Sequence, residues 1–274
     1  MTVVLILSVM GALAQTPADG SYLVRMAGAV ETVRADVGTM VPVAEQAAGR
    51  LADGGKLYAA GQPSLVAEIT GRAGGLMMIK PLAAAIPAPR DVVLFAPERG
   101  MDLPEPLRGT KAMVVVFGGP VAGGHDWPAF SNHAAETGIS PTLANAIPAW
   151  MFTGEIVGAL TRIGKMPVVF ETIGAYGGYA RMAQYKSGEI AFHDDRNVPP
   201  CAAGALANAY AEAVTGMLLR IEKEERTALD RAGEWVREAR NGKKQLFMYS
   251  MGHLFPDEVG NTDIGRLFHS AGWN

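Results

Sequence analysis

The sequence predicts an α/β protein, built as a three-layer α/β/α sandwich around a mainly parallel sheet. Three observations carry that expectation. Residues 91–96 (DVVLFA) and 111–117 (KAMVVVF) are apolar at successive positions rather than alternate ones. That pattern marks strands buried on both faces. Helical periodicities separate such runs. The strand-like stretch 57–60 also ends at Gly61 and leads straight into a helical stretch opening at Pro63 or Ser64. At such a junction backbone N–H groups point out of the carboxyl edge of the sheet, where these folds hold ligands and phosphates above all.

The remaining elements follow in order. Leu23, Met26, Val30, Val33 and Val37 keep helical spacing, and a second helix covers 41–51 before Asp53-Gly54-Gly55 stops it. The helix after Gly61 runs over 64–72, and Gly74-Gly75 caps it. A short apolar run at 76–79 closes on Pro81, and 82–90 is loop. Residues 97–109 hold too much proline and charge for a long helix, and 123–131 read as loop. A helix is expected over 147–163 and a long amphipathic one over 203–219 with a charged continuation to Arg240. Residues 166–170 have strand character, but Pro167 restricts them to an edge or a strand start. Residues 174–178 form a glycine-rich turn.

The 274 residues suffice for one large domain or two small ones, and 49% hydrophobic content supplies a full core. A formal net charge of −3 gives no electrostatic case for nucleic acid. Cys201 is the single cysteine, so neither an internal disulfide nor a cysteine metal cluster is expected. Residues 3–14 form a continuous apolar run with small Ala12 and Ala14 before Gln15, as at a signal-peptidase site. No Lys or Arg precedes Arg25, so the alternative is an apolar first element packed on the core. The run is too short to span a bilayer, and no transmembrane span is expected in a mature chain. Cleavage would make the product secreted or periplasmic, and an intact start would leave it cytoplasmic.

The end of the chain echoes its opening. A helix over 228–242 ends in Asn-Gly, residues 244–250 (KQLFMYS) parallel the strand at 56–60, and Gly252 parallels Gly61. A helix is then expected up to His269-Ser270-Ala271-Gly272, matched to Gly71-Arg72-Ala73-Gly74 with about seven residues inserted. The expected division is therefore a signal peptide and linker at 1–20, one α/β domain at 21–227, and 228–274 as a partial second copy. Either the second copy opens a tandem domain, or it adds a strand to the first sheet.

Residues 48–81, with their helix, strand, glycine turn, helix and Arg72-Ala73-Gly74-Gly75, resemble the SIS (sugar isomerase) domain family. The resemblance implies a flavodoxin-like topology, binding of a sugar or sugar phosphate, no cofactor, and pairing into a homodimer. It assigns ligand binding to Gly61, Gln62 and Ser64 at the first turn, with Gly118 and Gly119 of a later carboxyl-end turn lining the same cleft. The turn departs from the family pattern, since Pro63 stands where a phosphate-binding Ser is expected and removes an N–H. Ser64 therefore has two readings, a ligand contact through Oγ or a helix-capping hydroxyl.

An aldose–ketose isomerase needs a carboxylate to move a proton between adjacent carbons through an enediol. Glu155, in a mostly apolar helical stretch, is the candidate base. Its alternative is an ion pair with Arg162 or Lys165, which themselves have an anion-holding reading. His193-Asp194-Asp195 and His125-Asp126 read as solvated loops in preference to metal sites, because adjacent residues seldom converge on one centre. Metalloprotease, hydrolase, NTPase and dinucleotide signatures do not occur. The expected function is thus SIS-like sugar or phosphosugar binding, with isomerisation as its catalytic form. The alternative is an exported, non-catalytic module that binds a neutral sugar or a protein partner.

Overall fold

The computed structural model describes residues 21–71, 74–98, 101–119, 121, 126–170, 178–194, 197–248 and 267–270. The apolar run at 3–14, Arg72, Ala73, His125, residues 174–177, Asp195 and residues 249–266 lie outside the described residues.

The chain opens with two helices, α1 (Tyr22–Arg34) and α2 (Val37–Ala52). Ser21 caps α1, its hydroxyl accepting a hydrogen bond from the Val24 N–H at 3.3 Å. Then come β1 (Leu57–Gly61), α3 (Pro63–Ile69), β2 (Ile79–Pro81), β3 (Val92–Ala96), β4 (Met113–Phe117) and β5 (Ala129–Phe130). Two short helices, α4 (Ala134–Thr137) and α5 (Pro141–Ala144), lead into the long α6 (Ala146–Arg162). The rest is helical up to a small second sheet: α7 (Gly178–Ser187), α8 (Ala205–Glu224), α9 (Arg226–Asn241), β6 (Leu246–Met248) and β7 (Phe268–Ser270).

The first sheet is parallel throughout, in the order β2-β1-β3-β4-β5. The fold is therefore α/β with a layered parallel sheet, as the apolar runs implied. Strand β1 connects outward to β2 by way of α3, whereas β3 connects the other way to β4 through residues 97–112. Right-handed crossovers in opposite directions must use opposite faces of the sheet. The carboxyl ends of β1 and β3 thereby flank the switch point of the topology.

The two faces are covered differently. On one, Leu57, Ala59, Leu94, Val115 and Phe117 join a core with residues of α1, α2, α6 and α8. On the other, Ala60, Val93, Phe95, Val114 and Val116 pack under Leu82, Met101, Leu103 and Leu107. The only regular element there is a single 3₁₀ turn, Glu105–Leu107, among the described residues. The third layer is thin because prolines at 97, 104 and 106 remove N–H donors that a helix would need.

Helix α6 is the centre of the thick layer. The Phe152 ring meets Phe117 edge-on at a centroid separation of 5.9 Å and lies 5.5 Å from Phe130. The stretch Pro141–Arg162 is long and apolar enough to cross a bilayer, with mean hydropathy 1.2, but 78% of its most apolar 18-residue window is buried inside the protein. It reads as a core helix.

Several expectations are corrected. Residues 129–130 form an edge strand, too short for its apolar pattern to register. Residues 178–187 form a helix in which Gly178 alone is buried, so it lacks an apolar face to read. Residues 166–170 add no strand in the sheet. They run antiparallel to 74–77 instead, with Gly74 N–H donating to the Phe170 carbonyl at 2.7 Å and Met77 N–H to that of Val168 at 2.9 Å. Residues 268–270, read from sequence within a helix, form β7 and pair in parallel with β6.

Gly61 adopts φ +96°, and a Cβ added there would lie 2.0 Å from the Ala96 carbonyl oxygen. The Gln62 N–H donates to that same oxygen at 2.8 Å, which closes β1 against β3. Gly61→Ala is expected to lose at least about 2 kcal/mol from backbone strain and overpacking. Urea unfolding followed by circular dichroism measures this, and an unchanged midpoint would contradict the close approach.

Candidate functional site

Three turns meet at the carboxyl edge of the sheet. The first follows β1 and carries Gln62, Pro63 and Ser64. Pro63 occupies the first helical position of α3, where its missing N–H costs nothing, and Ser64 is the second. The second follows β4 at Gly118 and Gly119, with φ +104° and +115°. The third follows β5 and supplies Asn132. Helix α6 adds Asn145 at its start.

These side chains form one buried chain of hydrogen bonds. Gln62 Nε2 donates to Ser64 Oγ at 2.8 Å and to the Thr142 carbonyl at 3.2 Å. Asn145 Nδ2 donates to Gln62 Oε1 at 3.2 Å. Asn132 Nδ2 donates to Asn145 Oδ1 at 2.7 Å, and Asn132 Oδ1 accepts from the Ala134 N–H at 3.0 Å. Gln62, Ser64, Asn132 and Asn145 are all buried. Gly118 is the residue that lets the chain pass, since a Cβ there would stand 2.6 Å from Asn145 Oδ1. Gly119 faces open space.

The structure links Gln62, Ser64 and Gly118 through Asn145, with Gly61 next to Gln62 along the chain. It turns Gln62 and Ser64 inward, however, onto the amide chain. Asn132 and Asn145 escaped the sequence reading. The signal available was a pair of amides set among the apolar residues that lead into a core helix.

A cavity of about 260 Å³ opens on the outer side of the same turn. It is lined by Ala59, Ala60, Gly61, Pro63, Val66 and Leu82, with Pro104 and Pro106 from the β3–β4 connection. Small side chains on β1 and four prolines around it, Pro81 among them, keep this space open and largely apolar.

Glu155 lies elsewhere, in the thick helical layer, and is 1% exposed. Its Oε2 accepts from the Gly204 N–H at 2.8 Å, and its Oε1 accepts from the Ala207 N–H at 3.0 Å. Both groups belong to the N-terminus of α8. The expected ion pairs are replaced by others: Arg162 meets Glu45 at 3.2 Å, and Lys165 meets Asp194 at 3.4 Å. His193 is buried while its neighbour Asp194 turns outward to Lys165, so the two point apart. On α8, burial together with the nearby Glu68 charge holds the Tyr210 phenol protonated far above its usual range.

No model of a known protein family matches this chain, and no curated protein matches it.

Replacing Asn145 by Ala would strand Gln62 Oε1 and weaken the hold on Asn132. The expected cost is about 1–3 kcal/mol for each buried group left unsatisfied. Urea denaturation reads it directly. A variant as stable as the parent would show that the amide chain carries no weight.

Proposed function

We propose that this protein is a SIS-like carbohydrate-derivative-binding module, which holds a single sugar ring beside Gly61 at the carboxyl edge of β1 and does not convert it. The observation that carries this reading is the cavity itself. It opens at the carboxyl end of β1, on the edge of a parallel sheet where such sheets take ligands. Its 260 Å³ volume suits one ring, and its Ala, Pro and Leu lining complements the C–H face of a sugar. Hydroxyls would then face the open edge.

Among the described residues no carboxylate lines the cavity itself, which supports binding over isomerisation. Both Glu155 oxygens are engaged by the start of α8, on the other side of the helical layer. A neutral sugar is favoured over a phosphosugar at the first turn, because Pro63 has no N–H and Ser64 Oγ is bonded to Gln62. The phosphorylated form is the second reading. It is favoured by Gly119, whose positive φ and open surroundings leave backbone accessible after β4.

The test is a thermal-shift panel of hexoses, amino-hexoses and their phosphates, with calorimetry on any that bind. A ligand at 100 times its Kd stabilises the native state by about 2.7 kcal/mol. Neutral sugars are expected to raise Tm, and Ala83→Trp to abolish that shift. Ala83 is exposed at the rim of the cavity, so the substitution blocks the mouth without disturbing the core. A shift confined to phosphates and lost in Gly119→Val would move the conclusion to the second reading. A sugar-induced shift untouched by Ala83→Trp, or no shift at all, would overturn the proposal.

A further inference from the structure

One regularity runs through the element boundaries and is independent of any ligand. Helix α9 starts 189 positions after α2 and ends 189 positions after it, Arg226 following Val37 and Asn241 following Ala52. Strand β6 starts at Leu246, 189 positions after Leu57 of β1. Strand β7 starts and ends 189 positions after β2, Phe268 following Ile79 and Ser270 following Pro81. The ladders agree, since Leu57 pairs with Ile79 and Leu246 with Phe268, both parallel.

Buried positions of the later helices fall on buried positions of the earlier ones. The buried residues of α9, Leu229 and Gly233, correspond to Met40 and Ala44 of α2, both fully buried. Ala211 and Leu218 of α8 correspond to Tyr22 and Ala29 of α1, and all four are buried. A shared offset in the bounds of one helix and the starts of two strands, with four buried positions of the later segment falling on buried positions of the earlier one, has a single economical source, a duplicated unit.

The two copies are also seated on one another. Thr215 Oγ1 of α8 donates to Glu31 of α1 at 2.9 Å, while Arg34 lies 3.9 Å from Glu212. Moving up α1 therefore means moving down α8. Counterpart helices packed antiparallel are what a two-fold axis between copies produces.

We infer that the described residues 211–248 and 268–270 are a second copy of their counterparts in the unit at 22–81, related to it by an internal two-fold through the α1–α8 seam, and that the edge of β6 away from β7 is shaped for a β3-type strand. In the first copy β1 holds β2 on one edge and β3 on the other, with Leu57 opposite Val92. In the second, β6 holds β7, and no described strand lies on its other edge. Phe247 is 59% exposed on a face of β6, whereas its counterpart Tyr58 packs against the second-face core. The edge continues the β6–β7 ladder, and no described residue pairs with the backbone of Leu246–Met248 on that side. Its occupant has the chemistry of Val92–Ala96, five successive apolar residues running parallel. The seven-residue insertion expected from the Ala-Gly match disappears under this register.

The test extends the full chain by a copy of residues 86–117 placed directly after Asn274, which keeps the offset of 189 for the copied β3. Hydrogen exchange is followed at the Leu246–Met248 amides. They are expected to exchange at least about tenfold more slowly than in the parent chain, as ladder amides do. A synthetic peptide of residues 90–97, set against its scrambled form, is added to the unextended chain as the second measurement. It decides the matter if the extended chain fails to fold. Protection by either route supports the inference, and unprotected amides in both would overturn it.

Discussion

The Glu155 carboxylate holds the architecture together at its least self-sufficient point. Helix α8 has as its N-cap residue Gly204, which has no side chain to cap it and sits at φ +79°. Its third helical residue is Ala207, so the helix has no capping box of its own. Two N–H groups would be left without partners in a buried setting. One carboxylate on α6 satisfies both, and its negative charge lies at the positive end of the α8 dipole. Neighbours on α6 extend the clamp, with Thr161 Oγ1 accepting from the Cys201 N–H and Arg162 donating to the Cys201 carbonyl, each at 3.0 Å. Gly154 and Gly158 keep that surface low enough for Leu206 and Cys201 to approach. Since α8 is also the partner of α1, the seating of the C-terminal unit depends on this junction.

The sheet distributes its burden unevenly. Its thick side carries the helices and nearly all the large buried side chains, including Phe117, Phe152 and Leu94. Its thin side is closed by chain segments rich in proline, which cannot fill space as a helix does. The cavity beside Gly61 is a consequence of that poor filling together with Ala59 and Ala60 on β1. A helical third layer, or a larger residue at position 60, would remove it. The same edge is rigid on its inner side, where the amide chain from Ser64 to Asn132 is satisfied throughout. A rigid wall beside an open, apolar recess is a setting for binding.

The strands were legible because burial on both faces writes itself into successive residues such as Val92, Val93, Leu94 and Phe95. The turn at Gly61 was legible because its φ and the nearby Ala96 carbonyl admit only glycine. Glu155 was not, because its partners lie 49 and 52 residues away and are backbone groups that any residue presents. Sequence can flag a buried carboxylate but cannot tell a base from a cap. Ser64 and Gln62 were placed correctly along the chain, yet their direction depends on Asn145, which only the fold brings near. The repeat was visible, but its register was drawn from an Ala-Gly match. Pairing of Leu246 with Phe268 replaces that match by a constant spacing.

The most direct measurement is amide hydrogen exchange at Gly204 and Ala207 in the parent chain, Glu155→Gln and Glu155→Ala, with urea midpoints taken in parallel. If the carboxylate is a helix cap, Gln keeps one acceptor and loses one bond, and Ala loses both. Protection should then fall stepwise, and stability by about 1–3 kcal/mol for each donor left unsatisfied. Equal protection and equal midpoints in all three would contradict this account and return Glu155 to the role of a base.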